Sequence, residues 1–439
     1  MMKLLLISPS GKIGKKVLKL IQMPQLGLHI LASLTPNDVD ITVVDEEIRD
    51  IDFSQDYDLV GISCMTATAN RAYQLSRIFR RRGSKVVVGG IHPTVLPLEA
   101  IQHADAVVIG EAEGCWADVI NDFRNGRLKE FYRAPFPDLS KYPLPRRDLH
   151  IDKALFNCVG LLTTRGCPYS CEFCSVTDFY GRKIRHRPLS MVVDDIIKSG
   201  SKTFLILDDN VTGDRGYAKK LFEALIPLDI TWVGQSSTSL AKDKELLKVC
   251  RLSGCIALFF GIESVSPSSL REIKKSPKSI KEVEEAIKIV QNNGIAVYPS
   301  IILGFDTDTK AVFDDTLEFL ARNKLPTVSL NILTPYPGSR IYQRFKDEGR
   351  IIFHDWGYYD HHTVVFRPKN MTPQELTEGY LYVRSEFYSF RSMIHHIPFF
   401  FRVSSIDPRR ILLFLLININ GRRMLKYVNT TVDWASNNE

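Results

Sequence analysis

Residues 163–174 of this 439-residue chain read Thr-Thr-Arg-Gly-Cys-Pro-Tyr-Ser-Cys-Glu-Phe-Cys, directly after an apolar run that predicts a β-strand. Three thiols, Cys167, Cys171 and Cys174, lie on this loop with the spacing C-x3-C-x2-C. Thiolates are the preferred ligands of iron–sulfur clusters, and three of them leave one iron of a 4Fe-4S cluster without a protein ligand. The loop therefore predicts a 4Fe-4S centre whose open iron is available to a substrate.

Two alternative roles for the three thiols stay open. Structural zinc takes four protein ligands, and the nearest candidate for a fourth is His186, twelve residues after Cys174. Three buried cysteines without metal are the simplest alternative, although Gly166 and Pro168 favour a loop over a core element.

The chain from residue 159 to residue 333 alternates apolar runs with helical patterns, which predicts a partial parallel (βα)6 barrel. The predicted strands are Val159–Thr164, Phe204–Leu207, Ile230–Gly234, Ile256–Gly261, Ile295–Leu303 and Val328–Leu333. The chemistry of such a barrel is expected at the carboxyl ends of its strands. We assign residues 151–335 to the barrel and residues 336–439 to a mostly helical C-terminal extension.

The first 133 residues show the same alternation and predict an α/β domain of the Rossmann-like type, with a parallel, doubly wound sheet. Its predicted strands are Lys3–Ser8, Ile41–Val44, Leu59–Ser63, Val86–Val88 and Ala106–Ile109. Ligands of such a sheet bind in the crevice at the carboxyl ends of the strands. Residues 134–150 contain four prolines and predict an extended linker between the two domains.

The cysteine spacing at the end of the first barrel strand resembles the radical S-adenosylmethionine (SAM) superfamily. The resemblance implies that the open iron binds SAM and that SAM is cleaved to a 5'-deoxyadenosyl radical. Three further positions match the superfamily's SAM-binding pattern: Phe173 before the third cysteine, Glu263 after the fourth strand and Gly304 after the fifth. Asp209 and Gln235, which follow the second and third strands, point to the same site. Helix N-caps or turns would equally account for the polar residues that follow the second and third strands.

The N-terminal domain and the proline-rich linker are similar to the cobalamin-binding class of radical SAM enzymes, and residues 334–339, 348–351 and 355–356 resemble hopanoid C-2 methylases. The resemblance implies cobalamin bound at the loops that contain Thr66, Gly89, Gly90, His92, Gly110 and Glu111. The D-x-H-x-x-G pattern that supplies a cobalt ligand in many cobalamin proteins is absent. His92 lies in a suitable loop without that pattern.

The class implies methyl transfer through cobalamin to an unactivated carbon, and we expect a lipid or another apolar small molecule as substrate. A radical SAM cyclase, ring-contraction or carbon–carbon coupling enzyme without methyl transfer is a second hypothesis. A non-catalytic iron–sulfur or corrinoid-binding protein is a third hypothesis, from a different class. An electron donor such as flavodoxin or ferredoxin is an expected partner of either enzyme.

Composition sets further limits. The chain has 57 Lys and Arg against 50 Asp and Glu, so its net charge of +7 is small for its length and favours no nucleic-acid partner. No run approaches eighteen apolar residues, and eight cysteines with three clustered fit a reducing, cytoplasmic location. The last fifty residues are apolar and basic, which fits either a helix packed on the barrel or an interfacial helix that contacts the inner face of the membrane.

Overall fold

The computed structural model describes residues 1–12, 25–149, 158–273, 279–403 and 408–428. These residues form two parallel sheets with helices against them, followed by a helical C-terminal region. The predicted α/β fold class is therefore confirmed.

The first sheet has six strands in the order β2-β1-β3-β4-β5-β6, and every strand pair is parallel. The strands are β1 (Met2–Ser8), β2 (Val39–Asp45), β3 (Leu59–Ser63), β4 (Lys85–Gly89), β5 (Ala106–Ile109) and β6 (Phe131–Arg133). The helices are α1 (Leu26–Leu34), α2 (Ala69–Arg81), α3 (Ile91–Val95), α4 (Pro97–Ala100) and α5 (Trp116–Arg124). The sequence predicted five of these strands and missed the short β6.

The first sheet is buried on both faces. Leu5 and Ile7 of β1 belong to one apolar cluster, and Leu4 and Leu6 belong to another on the opposite face. Successive side chains of a strand point to opposite faces, so an unbroken apolar run is what a sheet covered on both sides requires.

The second sheet also has six strands, in the order β14-β13-β12-β11-β10-β7, and its two end strands are not paired with each other. A separate antiparallel pair, β8 and β9, lies beside it. The strands are β7 (Val159–Leu161), β8 (Thr164–Arg165), β9 (Arg185–His186), β10 (Thr203–Ile206), β11 (Thr231–Ser236), β12 (Cys255–Glu263), β13 (Ala296–Leu303) and β14 (Ser329–Ile332). The predicted partial barrel of six strands is confirmed.

The first predicted barrel strand, Val159–Thr164, is too long. β7 ends at Leu161, and Thr164 instead pairs with His186 across the small antiparallel sheet. This pairing holds both ends of the segment that contains the three cysteines.

Helices cover the barrel and continue beyond it. They are α6 (Val176–Tyr180), α7 (Leu189–Ser199), α8 (Arg215–Leu225), α9 (Lys244–Leu252), α10 (Pro267–Ile273), α11 (Ile280–Asn292), α12 (Ala311–Arg322), α13 (Arg340–Asp347), α14 (Pro373–Phe387), α15 (Phe390–Val403) and α16 (Pro408–Val428). Helix α14 begins with a capping box in which Thr372 and Glu375 each bind the other's backbone.

The C-terminal region returns to both domains. A Cβ on Gly338, which has φ +85, would lie 2.6 Å from the side chain of Val95 in the first domain. Helix α16 packs on α14, where Arg384 donates to the carbonyl of Gly421 at 3.2 Å. Within the described residues, no helix combines the length and the apolar character that crossing a membrane requires.

Candidate active site

The three cysteines lie on the loop between β8 and α6. Gly166 begins this loop with φ +97, and a Cβ there would lie 2.6 Å from the carbonyl oxygen of Lys183. Within the loop, the N–H of Cys174 donates to the carbonyl of Cys171 at 3.3 Å, and Cys167 donates to Gly181 at 3.4 Å. A glycine is therefore required where the chain turns toward the thiols.

The thiols are close enough to affect one another. Burial, together with the charges of the neighbouring Cys171, Asp209 and Cys167, raises the pKa of Cys174 to about 12. Iron offsets such repulsion because it binds the thiolate form, so the donor set fits a cluster. The side chains of the described region contain no group of three His, Cys, Asp or Glu that would hold a metal ion as they stand. Ligation by the three cysteines stays a prediction.

Helix α13 holds the cysteine loop from the C-terminal side. Arg344 donates to the carboxylate of Glu172 at 2.9 Å, and the N–H of Ile341 donates to the Glu172 carbonyl at 3.2 Å. Arg340 and Arg182 both donate to the hydroxyl of Ser170, at 3.0 and 2.7 Å. Sequence reasoning missed this clamp because its partners lie about 170 residues apart.

The predicted SAM residues come together at one edge of the barrel. Asp209, Gln235, Glu263 and Gly304 lie at or just after the ends of β10, β11, β12 and β13, which are neighbours in the sheet. Phe173 packs edge-on against Phe305, with ring centroids 6.0 Å apart. The structure therefore brings all five predicted positions to the edge that also carries the cysteine loop.

Two of these positions have features that the sequence did not reveal. Glu263 is buried and has φ 70, a backbone conformation that is strained for a residue with a side chain. Gly304 has φ +103, its N–H donates to Asp308 at 2.9 Å, and a Cβ would lie 2.7 Å from Leu376. The positive φ, with Leu376 of α14 close by, therefore favours glycine at this position.

The paired acids after β10 have different environments. Asp208 is buried and accepts hydrogen bonds from the N–H of Thr163 at 2.8 Å and the hydroxyl of Thr164 at 2.7 Å. These bonds make it a structural link between β10 and the cysteine segment. Burial, together with the charge of Asp208, raises the pKa of Asp209 to about 6. Of the two acids, Asp209 and not Asp208 acts electrostatically on Cys174.

A cavity of about 230 Å³ lies between the carboxyl edge of the first sheet and the barrel. Its walls are formed by Ser8, Pro9, Gln25, Gly27, Leu28, Leu31, Ser63, Cys64, Met65, Thr68, Gly90, Ile91, Gly110, Glu111, Ala112, Glu113, Arg165, Phe179 and Tyr180. Three of the predicted cobalamin positions, Gly90, Gly110 and Glu111, line it. The cavity therefore lies close to the loops that the sequence predicted to bind the corrin.

Thr66, Gly89 and His92 are not among the residues that line this cavity. His92 is fully buried, with Nε2 3.1 Å from the hydroxyl of Tyr73 and 3.3 Å from the carboxylate of Glu99. The indole of Trp356 packs on the His92 ring at 5.3 Å. The side chain of His92 is thus used in packing the C-terminal region against the first domain.

Glu111 joins the two domains. Its carboxylate accepts from Arg165 at 2.5 Å and from the hydroxyl of Tyr142 at 3.0 Å, and it also binds Arg185. Burial would raise the pKa of Glu111, but Arg185 and Arg165 outweigh it and hold the pKa below its usual value. Arg165 also binds Glu113 at 2.6 Å. Through this interdomain ion network, Arg165, two positions before Cys167, lies at the wall of the cavity described above.

The basic run 182–187 is mostly used inside the protein. Arg185 belongs to the interdomain ion network, and Arg187 pairs with the buried Asp195 at 2.9 Å. His186 lies 3.1 Å from Asp214 and stacks on Tyr217. These three side chains are therefore engaged in contacts within the protein.

Comparison with known proteins agrees with this architecture. The model of the radical SAM superfamily matches residues 161–320, and the model of the B12 binding domain matches residues 21–120. Two bacteriochlorophyllide d methyltransferases of Chlorobaculum tepidum are similar. The C-12(1) enzyme is 29% identical over 88% of this chain and 87% of its own, and the C-8(2) enzyme is 30% identical over 79% and 82%. The hopanoid C-2 methylase of Rhodopseudomonas palustris is 26% identical over 76% of this chain and 66% of its own.

Solved structures share the fold. The radical SAM methyltransferase TsrM from Kitasatospora setae, with cobalamin and a 4Fe-4S cluster bound, superimposes with a TM-score of 0.67 and 14% identity, covering 93% of this chain and 90% of its own. The cobalamin-dependent radical enzyme OxsB, with aqua-cobalamin and SAM bound, gives 0.68 and 14%, covering 100% and 82%. The cofactors of this class are SAM, a 4Fe-4S cluster and cobalamin. The chain belongs to the radical SAM superfamily, in the class of cobalamin-dependent methyltransferases that join the barrel to a B12 binding domain.

Proposed function

We propose that this enzyme methylates an unactivated carbon of a large apolar ring substrate of the tetrapyrrole class. The observation that carries the proposal is the similarity to two bacteriochlorophyllide d methyltransferases over most of both chains. The similarity to a hopanoid methylase covers less of that relative and supports an apolar substrate in general.

The position of the crevice supports methyl transfer. Apolar side chains such as Leu28, Leu31, Ile91 and Phe179 line a cavity that the cysteine side of the barrel also borders through Arg165. A group bound at the first sheet therefore lies close to a group bound at the barrel edge. Such proximity is what a transfer between two cofactor sites needs.

In this proposal, SAM and the cluster supply a 5'-deoxyadenosyl radical when bound, and cobalamin supplies the methyl group. Cys167, Cys171 and Cys174 hold the cluster. Glu263 and Asp209 would accept hydrogen bonds from SAM. Glu111 and Arg165 fix the spacing between the two cofactor sites, and the apolar lining of the cavity excludes water.

Radical cyclisation is a second candidate. The anaerobic magnesium-protoporphyrin IX monomethyl ester cyclase of Cereibacter sphaeroides is 25% identical over 71% of this chain, which spans 56% of that relative. This shorter coverage makes methyl transfer the better supported function.

The test is anaerobic incubation of the reconstituted enzyme with methyl-labelled SAM, cobalamin, a reductant and a bacteriochlorophyllide d. We expect a labelled, methylated ring, with S-adenosylhomocysteine and 5'-deoxyadenosine as co-products. Formation of 5'-deoxyadenosine without S-adenosylhomocysteine would support the cyclase instead. The proposed substrate class is wrong if the ring stays unlabelled and both co-products form in the same amounts with and without the bacteriochlorophyllide.

The finer assignments are also proposals. We propose a cytoplasmic enzyme that receives electrons from a flavodoxin or ferredoxin and contacts the inner face of the membrane through its C-terminal region, where Phe390 and Ile394 are exposed. We divide the chain into residues 1–133, 134–150, 151–335 and 336–439. The two six-stranded sheets, which end at Arg133 and Ile332, support the inner boundaries.

A further inference from the structure

A histidine that the sequence did not single out stands at the cofactor edge of the barrel. The carbonyl of His361 accepts a 2.7 Å hydrogen bond from the N–H of Ile332, the last residue of the end strand β14. Ile332 lies beside Leu303, which precedes Gly304. Since neighbouring strands are about 4.8 Å apart, the backbone of His361 lies about 10 Å from the predicted SAM position at Gly304.

The backbone of His361 is strained. Among the described residues, four that are not glycine have positive φ, and two of these, Glu263 at 70° and His361 at 66°, lie at this edge. Each such residue costs about 1–3 kcal/mol, and strain of this kind concentrates at functional sites. The fold thus holds His361 in a backbone conformation that lowers the stability of the protein.

One nitrogen of the imidazole is fixed by Tyr336. The hydroxyl of Tyr336 lies 2.9 Å from Nε2 of His361 and 3.1 Å from the carbonyl oxygen of Tyr359. Both contacts are hydrogen bonds only if Tyr336 donates to the carbonyl of Tyr359 and accepts the Nε2 proton of His361, and we infer this tautomer. Nδ1 is then unprotonated, and it has no hydrogen-bond partner among the described residues.

The ring is neutral but accessible. The side chain of His361 is exposed, and desolvation by the surrounding protein lowers its pKa below the ordinary value, so the imidazole is neutral at neutral pH. A neutral imidazole with one nitrogen bonded to an outer partner and the other open is the arrangement of histidine metal ligands. A single imidazole supplies one ligand, which suits a metal that already has four ligands from another molecule.

The neighbourhood fits a flat apolar ring. Tyr336 and Tyr342 are partly exposed members of an aromatic cluster with Tyr359 and Trp356, and that cluster reaches His92 in the first domain. Aromatic side chains pack by stacking and edge-to-face contacts, so this neighbourhood suits a flat apolar ring.

We propose that Nδ1 of His361 is the axial ligand to the central magnesium of a tetrapyrrole substrate. The lone pair of Nδ1 forms the coordinate bond, and no proton moves. This inference rests on the proposed function, because it specifies how the ring is held for methylation. Axial ligation would fix the ring relative to the radical and so decide which carbon reacts.

The test uses the full chain and two probes, zinc protoporphyrin IX and metal-free protoporphyrin IX, titrated by absorption. We expect the zinc ring to bind at least about 10-fold more tightly, with the Soret shift of an axially ligated metal. His361→Gly, which relieves the strain at positive φ, should remove the shift and the preference, and added imidazole should restore the shift. His354→Gln, at an exposed histidine in the same segment, should change neither.

A second variant tests the fixed tautomer. Tyr336→Phe removes the acceptor for Nε2–H and should weaken zinc-ring binding by about 10-fold while leaving the metal-free ring unaffected. If wild type binds both rings equally without a shift, axial ligation is overturned and the proposed function stands. If wild type binds neither ring, the tetrapyrrole class itself fails, and the ligation with it.

Discussion

The carboxyl edges of the two parallel sheets border the same interdomain region but are constructed differently. The barrel edge carries acids, with Asp208 and Glu263 buried and Asp209 next to the thiols. The edge of the first sheet is built from small residues such as Gly90 and Gly110, and its buried Glu111 is neutralised by two arginines. An acidic edge suits hydrogen bonds to a compact polar ligand, whereas a neutral, glycine-rich edge leaves room for a large ring.

The largest effect is expected at the thiols. Replacing any one of Cys167, Cys171 and Cys174 by alanine should abolish the visible absorbance of the cluster, and with it SAM cleavage, since each thiolate binds a separate iron. Cys158→Ser is the matched control, because Cys158 lies outside the loop. If the protein with all three cysteines replaced by alanine still cleaved SAM, the barrel edge would not be the site of the cluster, and the contrast between the two edges would be wrong.

The interdomain ion network should matter next. Glu111→Gln leaves the buried Arg185 with a neutral partner and Arg165 with Glu113 alone, and we expect a loss of about 3 kcal/mol in the free energy of unfolding. Denaturant unfolding measures it, with the exposed Asp118→Asn as control. Equal stability of the two variants would show that Glu111 serves the cavity and not the domain contact.

A smaller, pH-dependent effect is expected at Asp306, beside α13. Burial would raise its pKa, but hydrogen bonds from Arg350 and Arg344 outweigh this and lower the pKa to about 2 from an ordinary 3.8. Because the folded pKa is the lower one, the stabilisation is present above about pH 3.8 and is lost as the pH falls toward 2. Asp306→Asn should remove about 2 kcal/mol at pH 7.

The test compares the free energies of unfolding of wild type and Asp306→Asn from pH 6, about two pH units above the transition, down to about pH 2. The difference should shrink at the acid end. A constant difference across that range would contradict the assignment of the shift to the arginines.

The smallest effect is expected at His92. Since Tyr73, Glu99 and Trp356 enclose this ring away from the cavity, His92→Gln should leave the absorption bands of bound cobalamin unchanged. Ile91→Glu, at the neighbouring cavity wall, should weaken cobalamin uptake because it adds a buried charge. A shifted cobalt spectrum in the His92 variant would mean that His92 ligates cobalt after all.

Local patterns determined most of the fold. The thiol spacing of Cys167, Cys171 and Cys174, the alternation of strands with helices, and the strand-end positions of Glu263 and Gly304 were all predictable, because these features repeat over a few residues. Predictions failed where pairing is not local: β6 was missed, and Thr164 left its predicted strand to pair with His186.

The sequence by itself indicated which chemistry the chain carries, because the thiol spacing predicted an iron–sulfur centre and the resemblance of its motifs implied a radical SAM barrel joined to a cobalamin domain. Only the tertiary structure decided which charges meet. Glu111 lies 74 positions from Arg185, and Glu172 lies 172 positions from Arg344. Side-chain pairing over such separations depends on how the domains pack, and packing also decided that His92 is enclosed while His361 is left with an open nitrogen.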